Sequence, residues 1–139
     1  MTVSIFAQAT APKSVAYKPV KDLIRQLIVE RGAKTFYIGD KGYFYMHVVA
    51  ALQELKREYP SIICYEVMTS ESQPVSFCIG VYPKEIEEAE LLFKEIKQIR
   101  WMMNKCDIAV VYKNGVKSYY NNVAKEAKAE GKEIISIEI

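Results

Sequence analysis

Two short segments combine glycine with lysine in a pattern that suits phosphate binding. Gly39-Asp40-Lys41-Gly42 follows one apolar run, and Asn114-Gly115-Val116-Lys117-Ser118 follows another. Glycine lets backbone N–H groups approach a phosphate closely, and the N-terminus of a following helix adds partial positive charge. The alternative is that these glycines only satisfy turn geometry, which is the commoner explanation for an isolated motif.

Two further side chains are of types that a nucleotide ligand uses. Arg100 stands among apolar residues, where it either lays its stem along the surface or holds a phosphate or carboxylate by two hydrogen bonds. Phe44 is one of three consecutive aromatic residues at the start of a predicted helix, and such rings either stack on a base or join the core. His47 is the only histidine and has no catalytic partner nearby in sequence, so we assign it a structural role.

The sequence lacks the patterns of several common catalytic and cofactor sites. No cluster of His, Cys, Asp and Glu has metal-ligand spacing, and neither a Walker A loop nor a complete G-x-G-x-x-G is present. We therefore predict no metal and no cofactor.

Composition restricts the partners and the compartment. A chain of 139 residues with 50% hydrophobic residues suits one globular domain. A net charge of +2 is too small to indicate nucleic-acid binding, and no apolar stretch is long enough to span a membrane. The three cysteines are widely spaced within apolar runs, which predicts buried, reduced thiols and a cytoplasmic protein.

Hydrophobic periodicity predicts strands that alternate with helices. Strand patterns occupy residues 3–6, 34–38, 61–67, 75–81, 106–112 and 133–139, and helical patterns begin near residues 20, 45, 83 and 116. The helical pattern that begins near residue 83 is predicted as one long helix from Pro83 to Met103. The alternation indicates an α/β fold, namely a single Rossmann-like three-layer domain over residues 1–139 with a mainly parallel sheet flanked by helices.

This architecture would bring the candidate residues together. In a parallel sheet the turns that follow the strands meet at one edge, which is where open α/β sheets bind ligands. We therefore expect Ala7-Gln8-Ala9, Gly39 to Gly42 and Asn114 to Ser118 to be neighbours.

Three segments together resemble a known family. Thr35-Phe36-Tyr37-Ile38-Gly39 followed by Gly42-Tyr43-Phe44 is similar to a T-F-Y-x-G-x-x-G-x-F-D pattern, and residues 52–62 resemble L-x-x-L-K-x-x-Y-P-x-I. Arg100-Trp101-Met102 with Asp107 resembles R-N-R-W-M-I-x-x-S-D. These patterns are those of the SLOG superfamily of Rossmann-like nucleotide-ligand domains, in a small bacterial and phage branch related to the Lonely Guy phosphoribohydrolases.

The sequence lacks several residues of the family motifs that catalysis would need. The branch has G-H-R after its first strand, whereas this chain has Ala7-Gln8-Ala9, and the F-D of the branch becomes Phe44-Tyr45. The glutamate of the Lonely Guy signature P-G-G-x-G-T-x-x-E falls on Asn121. In those enzymes that carboxylate stabilises positive charge on the ribose while the N-glycosidic bond breaks, and an amide does not supply that charge. Arg100 remains in the matching place, so the resemblance implies recognition of a ligand without catalysis.

The resemblance implies non-catalytic binding of a small nucleotide-derived signal, such as an ADP-ribose derivative or a cyclic nucleotide. SLOG domains in bacterial immunity sense such signals, and a lone domain without an effector would instead sequester one, as a phage anti-defence sponge does. The alternatives are a nucleoside-monophosphate phosphoribohydrolase of Lonely Guy type that uses Asp40, and an interaction module that has lost its ligand. Related domains pair through helices, so we expect a homodimer or higher homo-oligomer. The predicted ligand-binding residues are Ala7, Gln8, Ala9, Gly39, Asp40, Lys41, Gly42, Phe44, Arg100, Asn114, Gly115, Val116, Lys117 and Ser118.

Overall fold

Strands and helices alternate along the protein, as the sequence predicts. The computed structural model describes residues 1–6, 17–42, 44–74, 76–113 and 119–138, and only the backbone of residues 112–113, 119–122 and 138. The elements are β1 (Thr2–Phe6), α1 (Tyr17–Arg31), β2 (Thr35–Gly39), α2 (Tyr45–Glu58), β3 (Ile63–Val67), β4 (Ile79–Val81), α3 (Lys84–Glu87), α4 (Lys94–Lys105), β5 (Ile108–Lys113), α5 (Tyr119–Ala129) and β6 (Glu133–Glu138). A 3-10 turn, Leu91–Phe93, precedes α4.

In the described ranges the strands form one six-stranded sheet in the order β4-β3-β2-β1-β5-β6. Every neighbouring pair is parallel, which confirms the predicted Rossmann-like α/β fold. The chain moves outward from β1 through β2, β3 and β4, and then returns to place β5 on the other side of β1. The direction of winding therefore reverses between β1 and β5, and this reversal makes a topological switch point.

Both faces of the sheet are covered. Successive strand residues point to opposite faces, so Val3 and Ile5 of β1 pack with α1 and α2, whereas Phe6 packs with α4 and α5. The Ser4 hydroxyl lies on the second face and donates a hydrogen bond to the carbonyl of Met102 at 2.8 Å, which ties the central strand to α4. Burial on two faces explains why these strands are nearly continuous apolar runs.

Helices α1 and α2 lie parallel to each other. Two ion pairs join them: Lys21 with Glu54 at 2.5 Å, and Arg25 with Glu58 at 2.9 Å. The second pair lies four residues after the first on both helices, so the two helices run in the same direction. Short connections lead from the end of α1 into β2 and from the end of α2 into β3. Both helices therefore begin at the edge of the sheet where the strands end, which we call the carboxyl edge.

The prediction of one long helix from Pro83 to Met103 is wrong. The chain is helical only over α3, and the extended backbone of Glu90 (φ −64°, ψ 149°) separates α3 from the following turn and α4. On one continuous helix the side chains of Ile86 and Met102 would point about 160° apart. Because the helix is interrupted, both residues are buried in the same cluster.

The strand predicted over residues 75–81 is shorter than the alternating pattern indicates. β4 contains Ile79–Val81 alone, and Ser76 to Cys78 form a bend in front of it. In this bend the Ser76 hydroxyl donates to Glu66 at 2.8 Å and accepts the backbone N–H of Cys78 at 3.1 Å. These local hydrogen bonds compete with the ladder, as serine side chains often do.

Two further observations concern the whole described chain. No helix in the described ranges has both the length and the apolar character needed to cross a membrane. Cys64, Cys78 and Cys106 are all buried, which confirms that part of the prediction, and none of them is in a disulfide.

Candidate functional site

The carboxyl ends of β1 and β5 lie side by side at the switch point. Phe6 is in register with Val111, and β5 continues to Lys113. The segments that leave these strand ends carry many of the predicted ligand residues. These residues lie outside the described part of the chain: Ala7, Gln8, Ala9, Asn114, Gly115, Val116, Lys117 and Ser118.

Asp40 follows β2 at the same edge, and its carboxylate joins three elements. One oxygen, Oδ2, accepts hydrogen bonds from the backbone N–H and the hydroxyl of Thr69, each at 2.7 Å. The other oxygen, Oδ1, accepts a hydrogen bond from Nε2 of Gln98 at 2.9 Å. The carboxylate therefore holds the loop after β3 and helix α4 against the end of β2, and both of its oxygens are engaged within the protein.

Gln98 is a fully buried polar side chain beside Asp40. Its Nε2 donates a second hydrogen bond to the carbonyl of Val67 at 2.8 Å, so reversing the amide would place its oxygen against two acceptors. Among the described residues no donor reaches the buried Oε1 of Gln98. A buried acceptor of this kind usually has a hydrogen-bond donor, which here lies outside the described residues, for example a water molecule.

The other predicted residues around β2 have distinct environments. Gly39 is buried at the end of the strand, and Lys41 is exposed. Gly42 has a φ of 142°, a conformation that favours glycine, and its carbonyl accepts the backbone N–H of Tyr45 at 3.2 Å at the start of α2. Turn geometry therefore accounts for Gly42. The Phe44 ring is fully buried in the core cluster beneath α1 and α2.

Arg100 lies apart from the Asp40 cluster. It stands two residues after Gln98 on α4, and residues at this spacing do not share a helix face. Arg100 instead faces α5, with its Nη1 atom 3.9 Å from a carboxylate oxygen of Glu126. The two residues line a groove of about 200 Å³ that also contains Glu130. The structure therefore does not bring Arg100 together with Asp40.

A larger groove of about 570 Å³ borders the edge strand β4. Its walls come from the loop after β3, from β4 and from Tyr82; the lining residues are Met68, Ser70, Glu71, Ser72, Gln73, Pro74, Cys78, Ile79, Gly80 and Tyr82. The loop begins next to Thr69, so the Asp40 carboxylate anchors one wall of this edge groove. The sequence signals only a polar turn here and gives no sign that the loop folds beside β4.

Sequence reasoning also missed a buried carboxylate on β3. Glu66 is 1% exposed, and its Oε1 accepts hydrogen bonds from the hydroxyls of Tyr45 and Ser76. Burial, followed by the hydrogen bond to Glu66, raises the pKa of Tyr45 well above its ordinary value. The available signal was a single glutamate inside an otherwise apolar strand.

No metal site is found in this part of the molecule. Within the described ranges, no group of three or more His, Cys, Asp or Glu side chains is placed to hold a metal ion. Around Asp40, the described side chains at the carboxyl edge act as hydrogen-bond donors and acceptors. No protein-family model matches the chain, and no curated protein matches it at a significant level.

Proposed function

We propose that the protein binds a small nucleotide-derived signal at the carboxyl edge of the sheet, next to the junction of β1 and β5, and leaves it intact. The observation that carries the proposal is the reversal of winding between these two strands, because open α/β sheets bind ligands in the crevice at such a point. Helices α1 and α2 also begin at this edge, and helix N-termini attract anionic groups such as phosphates.

The state of Asp40 favours binding over hydrolysis. A carboxylate that acts as a nucleophile or general base needs an oxygen directed at the substrate. Both oxygens of Asp40 accept hydrogen bonds from Thr69 and Gln98. Asp40 is the nearest candidate carboxylate for the hydrolase alternative, and its engagement with Thr69 and Gln98 supports a structural role.

The proposed ligand class is an ADP-ribose derivative or a cyclic nucleotide, and the proposed relationship is to the SLOG superfamily. Support for both comes from the likeness of the segment from Thr35 through Gly39 and Gly42 to Phe44 to the pattern of that family, and the first five residues of this segment form β2. The protein would act in the cytoplasm as a sensor or as an anti-defence sponge that sequesters the signal. Unpaired cysteines are usual in that compartment.

Thermal denaturation with candidate ligands tests the proposal. The purified protein is heated with nucleoside monophosphates, ADP-ribose, its cyclised isomers and cyclic dinucleotides, and the ligand is then recovered for mass analysis. A rise in Tm with the ligand recovered intact supports binding without turnover. Release of a free base would establish the hydrolase alternative instead, and no shift with any compound would contradict both.

Two lysines flank β2 and provide a matched pair of variants. Lys41 is exposed at the carboxyl edge, whereas Lys34 is exposed before the strand, at the opposite edge. If a ligand phosphate binds at the carboxyl edge, we expect Lys41→Ala to weaken binding by about tenfold, as loss of one charge-assisted hydrogen bond does. Lys34→Ala should leave the affinity unchanged. Equal effects of the two variants would place the ligand elsewhere.

A further inference from the structure

Cys64 and Cys78 lie opposite each other on adjacent segments at the edge of the sheet. The pairing of β3 and β4 places Tyr65 against Ile79, so the same register one residue earlier places Cys64 against Cys78. Neighbouring strands are about 4.8 Å apart, a spacing within the Cα separation that a disulfide spans. Both thiols are buried, and neither is in a disulfide.

Cys78 is buried, but it adjoins open space. It lines the edge groove of about 570 Å³, so a small solute in the groove lies next to it. Its backbone N–H donates to the Ser76 hydroxyl at 3.1 Å and lies just before the β4 ladder. A small displacement of Cys78 towards Cys64 therefore breaks no strand-to-strand hydrogen bond of its own N–H group.

The two thiols are chemically unequal. Cys78 lines the edge groove, whereas Cys64 does not. The interaction between them lowers the pKa of Cys78 and raises that of Cys64, and burial raises the pKa of Cys64 further. At Cys106, by contrast, burial raises the pKa. The thiolate is the nucleophilic form of cysteine. Cys78 is thus the better nucleophile of the pair, and Cys64 holds the proton.

We propose that Cys64 and Cys78 form a two-cysteine oxidation site for small hydroperoxides, with Cys78 as the attacking residue and Cys64 as the resolving residue. The Cys78 thiolate attacks one oxygen of the peroxide, and the O–O bond breaks. The departing oxygen takes a proton and leaves as water or an alcohol, while Cys78 becomes a sulfenic acid. The Cys64 sulfur then attacks the Cys78 sulfur, and the sulfenic hydroxyl leaves with the Cys64 proton as water.

These two steps balance as a two-electron exchange. The dithiol is oxidised to a disulfide, and one peroxide is reduced to water or to water and an alcohol. A small dithiol returns the pair to the reduced state by thiol–disulfide exchange. The bridge would link β3 directly to the bend before β4, on the inner side of the edge groove.

Peptide mapping tests the proposal directly, because trypsin cuts after Arg57 and Lys84 and at no position between them. The resulting peptide contains Cys64 and Cys78 but not Cys106. The folded, reduced protein is treated with hydrogen peroxide, the remaining thiols are alkylated, and the digest is analysed by mass spectrometry. We expect this peptide to escape alkylation and to lose two hydrogen atoms, and dithiothreitol to reverse the change.

Single variants separate the two roles. In Cys64→Ser we expect a sulfenic acid to persist at Cys78 and to react with a 1,3-dione probe. In Cys78→Ser we expect Cys64 to remain reduced, because it is buried and does not line the edge groove. Cys106→Ser is the control, and its disulfide should form at the wild-type rate. Circular dichroism before oxidation establishes that each variant is folded.

Three results would overturn the proposal. The first is failure of the peptide to lose two hydrogen atoms in folded protein while the same treatment oxidises Met68, which lines the same groove. The second is oxidation of Cys64 in Cys78→Ser as fast as oxidation of Cys78 in Cys64→Ser. The third is a disulfide that forms only after denaturation. Each outcome concerns the thiols alone, so it is independent of whether a nucleotide binds.

Discussion

Asp40 accepts three hydrogen bonds, and an amide at the same position would accept fewer. In Asp40→Asn one oxygen can still serve the two donors of Thr69, but the new NH2 group then faces the Nε2 donor of Gln98. We expect this variant to lower the free energy of unfolding by ~1–3 kcal/mol, the usual cost of leaving buried polar groups unpaired. Urea denaturation measures the difference.

Asp22→Asn is the matched control for this prediction. Asp22 is exposed on α1, where its carboxylate lies 3.6 Å from the Nζ atom of Lys18. Exposed pairs of this kind contribute little to stability. If the two asparagine variants are equally stable, the Asp40 cluster does not hold the loop after β3 in place. A large effect at Asp40 alone also means that any assay of ligand turnover in Asp40→Asn must be corrected for unfolding.

The raised pKa of Tyr45 predicts how the stability of the protein changes at alkaline pH. Burial raises its pKa above the ordinary value of 10.0, so the folded state keeps the phenol neutral at a pH where the unfolded state ionises it. The resulting stabilisation is complete below the unfolded pKa and is lost as the pH rises from there towards the folded pKa. Tyr45→Phe removes this pH dependence.

We expect the free energies of unfolding of the wild-type protein and of Tyr45→Phe to converge at high pH. At neutral pH Tyr45→Phe should be less stable by ~1–3 kcal/mol, because Glu66 loses a hydrogen-bond donor in the core. At one pH unit above the ordinary pKa of tyrosine, this difference in the free energy of unfolding should be smaller by ~1.4 kcal/mol. Thermal unfolding from about pH 8 to about pH 11 measures both values. A gap that is constant over this range would show that Tyr45 ionises normally.

At the scale of elements, the edge strand β4 depends on close contact with the loop beside it. A Cβ atom added at Gly80 would lie 2.9 Å from Cγ and 3.0 Å from Cδ of Pro74. The proline ring is too stiff to yield easily, so Gly80→Ala should lower the stability by ~1–3 kcal/mol, as overpacking does. The change would also push the wall of the edge groove away from the strand.

A double-mutant cycle isolates this contact. Pro74→Ala removes the ring atoms that the new methyl group would meet, so Gly80→Ala should cost much less in that background. We expect a coupling free energy of ~1 kcal/mol or more between the two positions from urea denaturation. Additive effects would mean that the loop moves aside without cost.

The sequence predicts a helix or strand correctly where its residue pattern alone determines it. The prediction fails where packing against a neighbouring element determines where a helix ends. Helix α2 is predicted correctly from its periodicity, which places Val48, Leu52 and Leu55 on one face. The same three residues are buried in the core. The stripe from Ile86 to Met103 is equally periodic, yet α3 and α4 each turn a different side to the core. No pattern within one segment reveals that the chain must bend to cover the sheet.

The candidate site shows the same limit at the scale of single side chains. The sequence placed Asp40 at the end of a strand, because an apolar run followed by glycine and a charged residue is a local signal. It did not reveal that Gln98 of α4 reaches Asp40, or that Cys64 meets Cys78. Those contacts depend on strand order and register, which bring together residues distant in sequence.

At the scale of the whole molecule, three exposed apolar residues are candidates for the contact in the homo-oligomer that the family resemblance leads us to expect. Leu91, Leu92 and Phe93 are 83%, 85% and 50% exposed in the turn before α4, and exposed clusters of this kind are typical of interfaces. We expect Leu91→Ser combined with Leu92→Ser to lower the oligomeric state measured by analytical ultracentrifugation. Val29→Ser, at a 63% exposed position on α1, is the control. An unchanged sedimentation coefficient in the double variant would exclude this turn from the interface.

The position of β1 at the centre of the sheet has a consequence for synthesis of the chain. Val3 pairs with Ile108, 105 residues later. A ribosome adds ~5–20 residues per second, so β1 waits about 5 to 20 s for its second neighbour. During that interval β1, β2, β3 and β4 can assemble only as an incomplete sheet in which one side of β1 is unpaired. Protection of that open side until β5 emerges is therefore a requirement for this topology, and a pause in translation before residue 108 would prolong the exposure.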